Sequence, residues 1–394
     1  MDQTDGENFS NGIWKIKNKE FPKVTASFPA AKIDVNGRRV TDPNGIKDLY
    51  LDTFCHRMRH RPIKDEYAEL LELQQELYEK RLLLCIDEKT SDWTVQEVTE
   101  VLKSLKNGKC RDPLGLINEI FKPPVCGADL INSITIMMKE IKRQMKIPDL
   151  FRLANISTIY KNKGSRSELE NDRGIFTVTV PNTILQKLIY KDNYDLIDSH
   201  LSDSNVGARK RKNIRNHSFI INGIKNDTVM SKDKSVDLAI LDFCQCFDSM
   251  SVEIITNDLY DIGVDSDYLN LINESDSVSN IAVKTPLGLT KRVDLQKIVK
   301  QGEVTSSLKC TVTVDSISQN HVANLEDHLY RYKEIVPVPP LGMVDDQINV
   351  SKCGLYSVLS VAHLNAQANL KKLQFGASKC HKMHISKCDT ACPH

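Results

Sequence analysis

Two aspartates, Asp345 and Asp346, stand side by side in the stretch LGMVDDQINV. Adjacent carboxylates repel by roughly 4 kcal/mol at about 4 Å where the effective dielectric is ~20. A chain keeps such a pair on a solvated turn or where a cation is expected. Met343 and Val344 precede the pair, and Ile348 and Val350 follow it in alternation with Gln347 and Asn349. That pattern is a β-hairpin with the two acids at its tip. A third acid, Asp242, ends the apolar run VDLAILD, which reads as a buried central strand. An acid at that place either terminates a strand in a turn or emerges at the edge of the core where ligands bind. One strand-end acid and one hairpin-tip pair could together hold hard cations through oxygen. Two such ions ~3.5–4 Å apart activate an attacking oxygen and stabilise a leaving one in phosphoryl transfer. The geometry requires the strand and the hairpin to be neighbours in one antiparallel sheet.

Basic residues collect where phosphates would need them. YKNKGSRSE presents Lys161, Lys163 and Arg166, and Arg173 follows in NDRGIF. NVGARKRKNIRN brings together Arg209, Lys210, Arg211, Lys212 and Arg215. Cationic runs of this kind are either solvated loops or backbone contacts to nucleic acid, whose binding is then salt-dependent.

The elements that must position these groups are legible from periodicity. DEYAELLELQQELYEKRLLL places leucines among strong helix formers and predicts a helix over 65–84. TVQE is a capping box that opens a second helix at Thr94 and carries it to about Lys106. ANISTIY and GIFTVTV, rich in Ile, Thr and Val, predict strands over 154–160 and 174–180. Pro181 opens a helix, as proline in a first turn does, and VEIITNDLYDIG reads as a helix that stops at Gly263. IAVKTP and KRVDLQKI are further strand candidates ahead of the loop KQGEVTSSLKC. Residues 1–60 read as a leader, with turn signals in DVNGRRVTDPNG. The sum is an α+β chain.

Composition sets the outer bounds. A net charge of +1 gives no global pull on polyanions, so any such partner must be argued from local patches. No apolar run approaches the ~18 residues that span a bilayer, and the acidic start MDQTDGENFS is not a secretory signal. Eleven scattered cysteines without a regular framework favour free thiols in a reducing compartment. The expectation is an intracellular protein, neither secreted nor membrane-bound.

The order of these blocks resembles the reverse-transcriptase domain of non-LTR (LINE-type) retrotransposons over most of residues 94–385. LKSLKNGKCRDPLGLINEIFK is similar to that family's opening block. IYKNKGSRSELENDRGI is similar to the block whose lysine and arginine meet the incoming triphosphate, and Lys161 and Arg173 fall at those places, with Lys163 as a rival. SNVGARKRKNIRNHSFI resembles the template-side block, with Asn205 and Ala208 in place of a glutamine and an aromatic. LDFCQCFDSM resembles the first catalytic block. The resemblance makes Asp242 a metal ligand and Phe247 a steric gate against a ribose 2′-hydroxyl. By the same resemblance KQGEVTSSLKC would place Gln301 and Gly302 beside the nascent pair, MVDD stands where the family has YADD, and LQFGASKCHKMHI would supply Lys379 as the block lysine.

What the resemblance implies is a right-hand polymerase palm and fingers, an antiparallel palm sheet with packed helices, and a thumb largely missing. Residues 1–90 would be a leader with a helix, 91–235 fingers and part of the palm, 236–385 the palm, and 386–394 a cut-off tail. The implied activity is RNA-directed DNA synthesis from deoxynucleoside triphosphates on an RNA template and a DNA primer. Two Mg²⁺ ions would be held by Asp242 and Asp345, with Asp346 beside them. Departures from the pattern are Met343 and Val344 for tyrosine and alanine, and NDRGIFTV without the family's proline. With no endonuclease block ahead and little after the lysine block, the chain reads as a fragment of a retroelement polyprotein. Two rivals stand beside the polymerase: a catalytically dead remnant that binds nucleic acid, and an unrelated metal-dependent nuclease. The tail CHKMHISKCDTACPH holds Cys380, His381, His384, Cys388, Cys392 and His394, but its spacing is not that of a standard zinc finger.

Overall fold

The computed structural model describes residues 31–58, 65–84, 90–231 and 234–387. In chain order the elements are β1 (Lys32–Ile33), β2 (Arg39–Val40), α1 (Pro43–Arg57), α2 (Ala68–Leu84), α3 (Val95–Lys103) and α4 (Ala128–Gln144). There follow β3 (Leu153–Tyr160), β4 (Asp172–Val178), α5 (Val180–His200), α6 (Arg215–Met230), β5 (Ser235–Asp242) and the single turn α7 (Cys246–Ser249). Next come α8 (Val252–Asp261), α9 (Ser266–Ser277), β6 (Val278–Thr285), β7 (Gly288–Leu289) and β8 (Val293–Gln296). The last are α10 (Ser306–Leu325), β9 (Arg331–Tyr332), β10 (Val336–Pro337), β11 (Leu341–Met343), β12 (Asp346–Lys352), α11 (Leu355–Leu370) and β13 (His381–Ser386). The chain is α+β, as its patterning predicts.

Two sheets carry the basic and acidic blocks separately. The first is mixed, in the order β4-β3-β6-β7 with β8 also on β6; β3 and β6 run parallel and the other pairs antiparallel. Ala154, Ile156, Phe176, Ile281 and Val283 form its buried face. The cover is α1, through Ile46, Tyr50, Leu51 and Phe54. This corrects the reading of residues up to 60 as a leader, because 43–57 contribute core. The local signal was present but ambiguous. Asp42 and Pro43 look like a turn, yet the Asp42 carboxylate accepts from the Gly45 amide at 2.7 Å and proline takes the first helical turn, which together start a helix.

The second sheet is antiparallel throughout, in the order β11-β12-β5-β13. The strand ending in Asp242 and the hairpin bearing Asp345 are therefore neighbours, with Asp346 directly opposite Asp242. One face of β5 sends Ala239 and Leu241 into the largest core, which holds side chains from α3, α4, α5, α8, α9, α10 and α11. The other face packs Val236, Leu238, Leu341 and Val350 against Ile224, Tyr330 and Val338. The capping box of α3 is fully formed, with reciprocal bonds between Thr94 and Glu97. Cys246 and Cys310 are buried free thiols with their Sγ atoms 3.4 Å apart.

Two polar residues in the middle of β12 do not face solvent. Gln347 and Asn349 are buried beneath α10 and α11, where Gln347 Nε2 donates to Ser318 Oγ at 2.8 Å and Asn349 Nδ2 to Ser360 Oγ at 2.9 Å. Ser360 Oγ lies 2.9 Å from His321 Nε2, and His321 Nδ1 lies 3.2 Å from His363 Nδ1. Burial holds the His321 imidazole down at about 4, and the nearby His363 and His328 add to the effect. An unfolded histidine takes up its proton near pH ~6.5. Between those values the unfolded state binds the extra proton, so stability falls as pH falls from about 6.5 to 4. The expected loss between pH 7 and pH 5 is about 2 kcal/mol, read as a fall in urea midpoint. His321→Gln should flatten that fall, and an unchanged pH slope in the variant would remove His321 as its source.

Candidate functional site

The acidic corner is built by two chain reversals. After Asp242, Phe243 is buried and stacks on Phe375 with ring centroids 4.4 Å apart, and Gln245 turns the chain in a left-handed conformation into α7. At the hairpin tip Val344 also takes a positive φ of 60°, which a β-branched residue rarely adopts. The segment 204–207 holds that tip from behind. The Gly342 amide donates to Ser204 O at 3.0 Å, and the Val206 amide to Gly342 O at 2.9 Å. A Cβ on Gly207 would stand 2.2 Å from the Val344 nitrogen, so only glycine lets the two backbones come this close.

The basic wall comes from the mixed sheet. Lys161 and Arg173 flank the connection between β3 and β4, where the Lys161 amide donates to Asn171 O at 2.8 Å and its ammonium to Glu170 O at 2.9 Å. The turn at Gln301 and Gly302 is pinned to the same sheet by the Phe176 amide, which donates to Gln301 O at 2.9 Å. Gly302 has φ +109°, and a Cβ there would meet Phe176 O at 3.0 Å. Beneath the turn lies a buried ionic group in which Lys309 Nζ is 2.5 Å from Asp276, while Lys300 is shared between Asp276 and Glu303.

Both walls face one cavity of about 110 Å³. Lys161, Arg173, Phe247, Gln301, Asp345 and Lys379 all line it. Asp242 joins through Lys379, whose Nζ lies 2.5 Å from Asp242 Oδ1. Asp346 sits beside the cavity rather than in its lining, and Gly302 supports the turn behind Gln301. Sequence reasoning passed over Arg57, Asp172, Gln245 and Asp248, which line the same space. Gln245 and Asp248 lie inside the block around Asp242, whereas Arg57 was hidden in the supposed leader.

The electrostatics follow from this crowding. Burial pushes the Asp345 carboxyl up from the usual range, and the Asp242 charge adds to it against Lys379 and Arg173. Partial burial, then Asp345 and Asp242, push Asp346 up as well. The bond to Asp242 raises Lys379. Partial burial lowers Lys161, helped by the cations of Arg57, Lys379 and Arg173. Cations and carboxylates are thus interleaved around the cavity, with Asp172 beside Lys161 and Arg173, and Lys379 beside Asp242.

Metal ligation is limited to what these acids offer. Among the described residues no group of three or more His, Cys, Asp or Glu side chains is arranged to hold an ion. Asp242 and Asp345 are two oxygen donors, which suits Mg²⁺, since it is bound through one or two carboxylates with substrate phosphates and water completing the shell. In the tail, His384 is taken by Asp237 at 2.8 Å, while Cys388, Cys392 and His394 lie outside the described residues.

The cluster at 209–215 does not line that cavity. Arg209 is turned inward, pairing with Asp198 at 2.7 Å and donating to Ser202 O and Asn205 O. Lys210 lies over the Tyr194 ring, and Lys212 pairs with Asp203. Arg209 is therefore a brace for the segment behind the hairpin. Lys161, and not its rival Lys163, lines the cavity. No helix among the described residues is long and apolar enough to cross a membrane. No family model matches this chain.

Proposed function

We propose that this chain is an RNA-directed DNA polymerase domain of the retrotransposon type, transferring deoxynucleotides to a primer 3′-hydroxyl on an RNA template. On this reading the antiparallel sheet belongs to the palm, and β3 and β4 of the mixed sheet belong to the fingers. The observation that carries it is the meeting of Lys161, Arg173, Phe247, Gln301, Asp345 and Lys379 around one cavity, from segments far apart in sequence and from two different sheets. A turn-only role for the paired acids would not place cations opposite them.

Asp242 and Asp345 are the residues that would hold Mg²⁺. When bound, the ions supply charge neutralisation at the phosphates and lower the cost of ionising the attacking hydroxyl. Lys161 and Arg173 bind and orient the triphosphate through charge-assisted bonds. The primer oxygen forms a bond to the α-phosphorus as the bond to the β-phosphate oxygen breaks, and pyrophosphate leaves. Phe247 packs at the sugar, while Gln301 and Gly302 support the nascent pair. Positioning and charge do most of this work.

Two observations favour a second reading, a remnant that binds nucleic acid without chemistry: Lys379 already neutralises Asp242, and the ligand set among the described residues is small. Primer extension by the purified chain, with and without Mg²⁺, separates the two. Mg²⁺-dependent extension supports the polymerase, and binding without extension under any divalent ion supports the remnant. Degradation of the same duplex would point instead to a nuclease. In an active preparation Phe247→Ala should raise ribonucleotide incorporation relative to deoxyribonucleotide by about tenfold, the scale on which loss of a pocket contact relaxes selection. An unchanged ratio would remove Phe247 from the sugar site.

A further inference from the structure

We propose that Arg57, from the helix ahead of the basic block, is a positioning residue that sets the phosphate-binding geometry of Lys161 and Arg173; the proposal rests on the reading of this cavity as a triphosphate site. Its guanidinium donates through Nη1 to Asp172 O at 2.9 Å and through Nη2 to Leu169 O at 2.5 Å. Those carbonyls bracket the turn 169–172, and Lys161 bonds the two carbonyls between them, at Glu170 and Asn171. Arg173 is the next residue. One planar fork therefore fixes both ends of the turn from which both phosphate-binding cations are hung.

The rest of the N-terminal segment is arranged to keep that fork in place. The guanidinium lies 4.7 Å over the Phe54 ring, and the same ring closes on Gly174, where a Cβ would come within 2.7 Å of it. On the far side of the loop, Lys32 Nζ donates to Arg166 O at 2.6 Å and pairs with Asp172 at 3.7 Å, while the Ile33 amide donates to Ser167 O at 2.9 Å. The segment grips the loop at two points, and of its described residues only Arg57 also lines the cavity. Its charge bears on the same site, since among the cations that lower Lys161 it stands first. A lysine in its place would keep the charge but could not reach two carbonyls as a fork, because guanidinium donors are planar and fixed whereas an ammonium is a point charge.

The test is binding of tripolyphosphate to the full chain without divalent ions, by calorimetry, with melting curves as the check on folding. Lys161→Ala and Arg173→Ala should each weaken binding. Arg57→Gln should weaken it about tenfold, in line with the sensitivity of bound geometry to small displacements, and Arg57→Lys should lose as much as the glutamine variant. Full restoration by lysine would overturn positioning in favour of charge alone. Binding that survives Arg57→Gln but falls in Lys161→Ala would overturn the Arg57 proposal and leave the phosphate site standing. Binding unaffected by Lys161→Ala and Arg173→Ala would end the phosphate reading, and this proposal with it. Where the Arg57 variants melt too early to measure, Lys32→Gln loosens the same loop from outside the cavity. It should also weaken binding, and unchanged affinity there would count against the clamp.

Discussion

Asp345→Asn should abolish Mg²⁺-dependent primer extension and, without divalent ions, raise the melting temperature by about 1–3 °C. Loss of activity follows from removing one of the two carboxylates that would hold the ions, and the expected fall is at least ~10³-fold, at the upper end for loss of one electrostatic contact. The gain in stability follows from repulsion. Asp345 is partly buried with the Asp242 charge facing it, and Asp346 follows directly in the chain. Lys379 and Arg173 offset part of this, which leaves a net penalty on the order of 1 kcal/mol at an effective dielectric of ~20. Asparagine has nearly the same shape and no charge, so the variant should relax that penalty without opening a void. One kcal/mol corresponds to roughly 2–4 °C for a chain of 150–250 residues and less for a longer one. A divalent ion should reverse the ranking, stabilising the native chain and leaving the variant unmoved. A fall in melting temperature would mean that the carboxylate is held by favourable partners and is not a poised ligand.

How much of this could be read from the sequence depended on whether a residue's role was local. The strand ending at Asp242 was legible because a continuous apolar run bounded by an acid has few alternatives. The hairpin was legible because its alternation is regular and its tip short. Helix α3 announced itself through a capping box, a purely local device. The failures share one cause, which is that a tertiary partner decided the outcome. Helix α1 starts on residues that equally make a turn, and only the mixed sheet beneath Tyr50 and Phe54 turns them into core. Gln347 and Asn349 stand out in sequence only as the polar partners of an alternation, but α10 and α11 lie over them and take up their amide nitrogens with serines. Arg209 looked like its cationic neighbours until Asp198 and two carbonyls claimed it. Arg57 lay outside every block of the resemblance, so only the folded cavity could bring it forward.

Gly207→Ala should be among the most damaging small substitutions in the chain, although no backbone torsion forbids it. Gly207 is not among the positive-φ glycines, so alanine is conformationally allowed there. The obstacle is the hairpin. The added methyl would stand 2.2 Å from the Val344 nitrogen and 3.0 Å from its Cα, and these are backbone atoms that cannot rotate away. Relief requires the tip to move by roughly 1 Å, and overpacking on that scale costs about 1–3 kcal/mol. Val344 is already held in an unfavourable left-handed conformation, a strain that persists only while its surroundings impose it. Displacing the tip therefore displaces Asp345, and a ~1 Å error at a reacting centre costs about 10²-fold in rate. Gly342→Ala supplies the contrast. A Cβ there meets the side chain of Asn205 at 3.1 Å, and a side chain can shift by a few tenths of an ångström. The expected order is thus a severe loss of activity and stability for Gly207→Ala and a mild one for Gly342→Ala. Comparable damage from the two would mean that the segment 204–207 and the hairpin move together as a soft unit. Asp345 would then owe its position to something other than the close approach at Gly207.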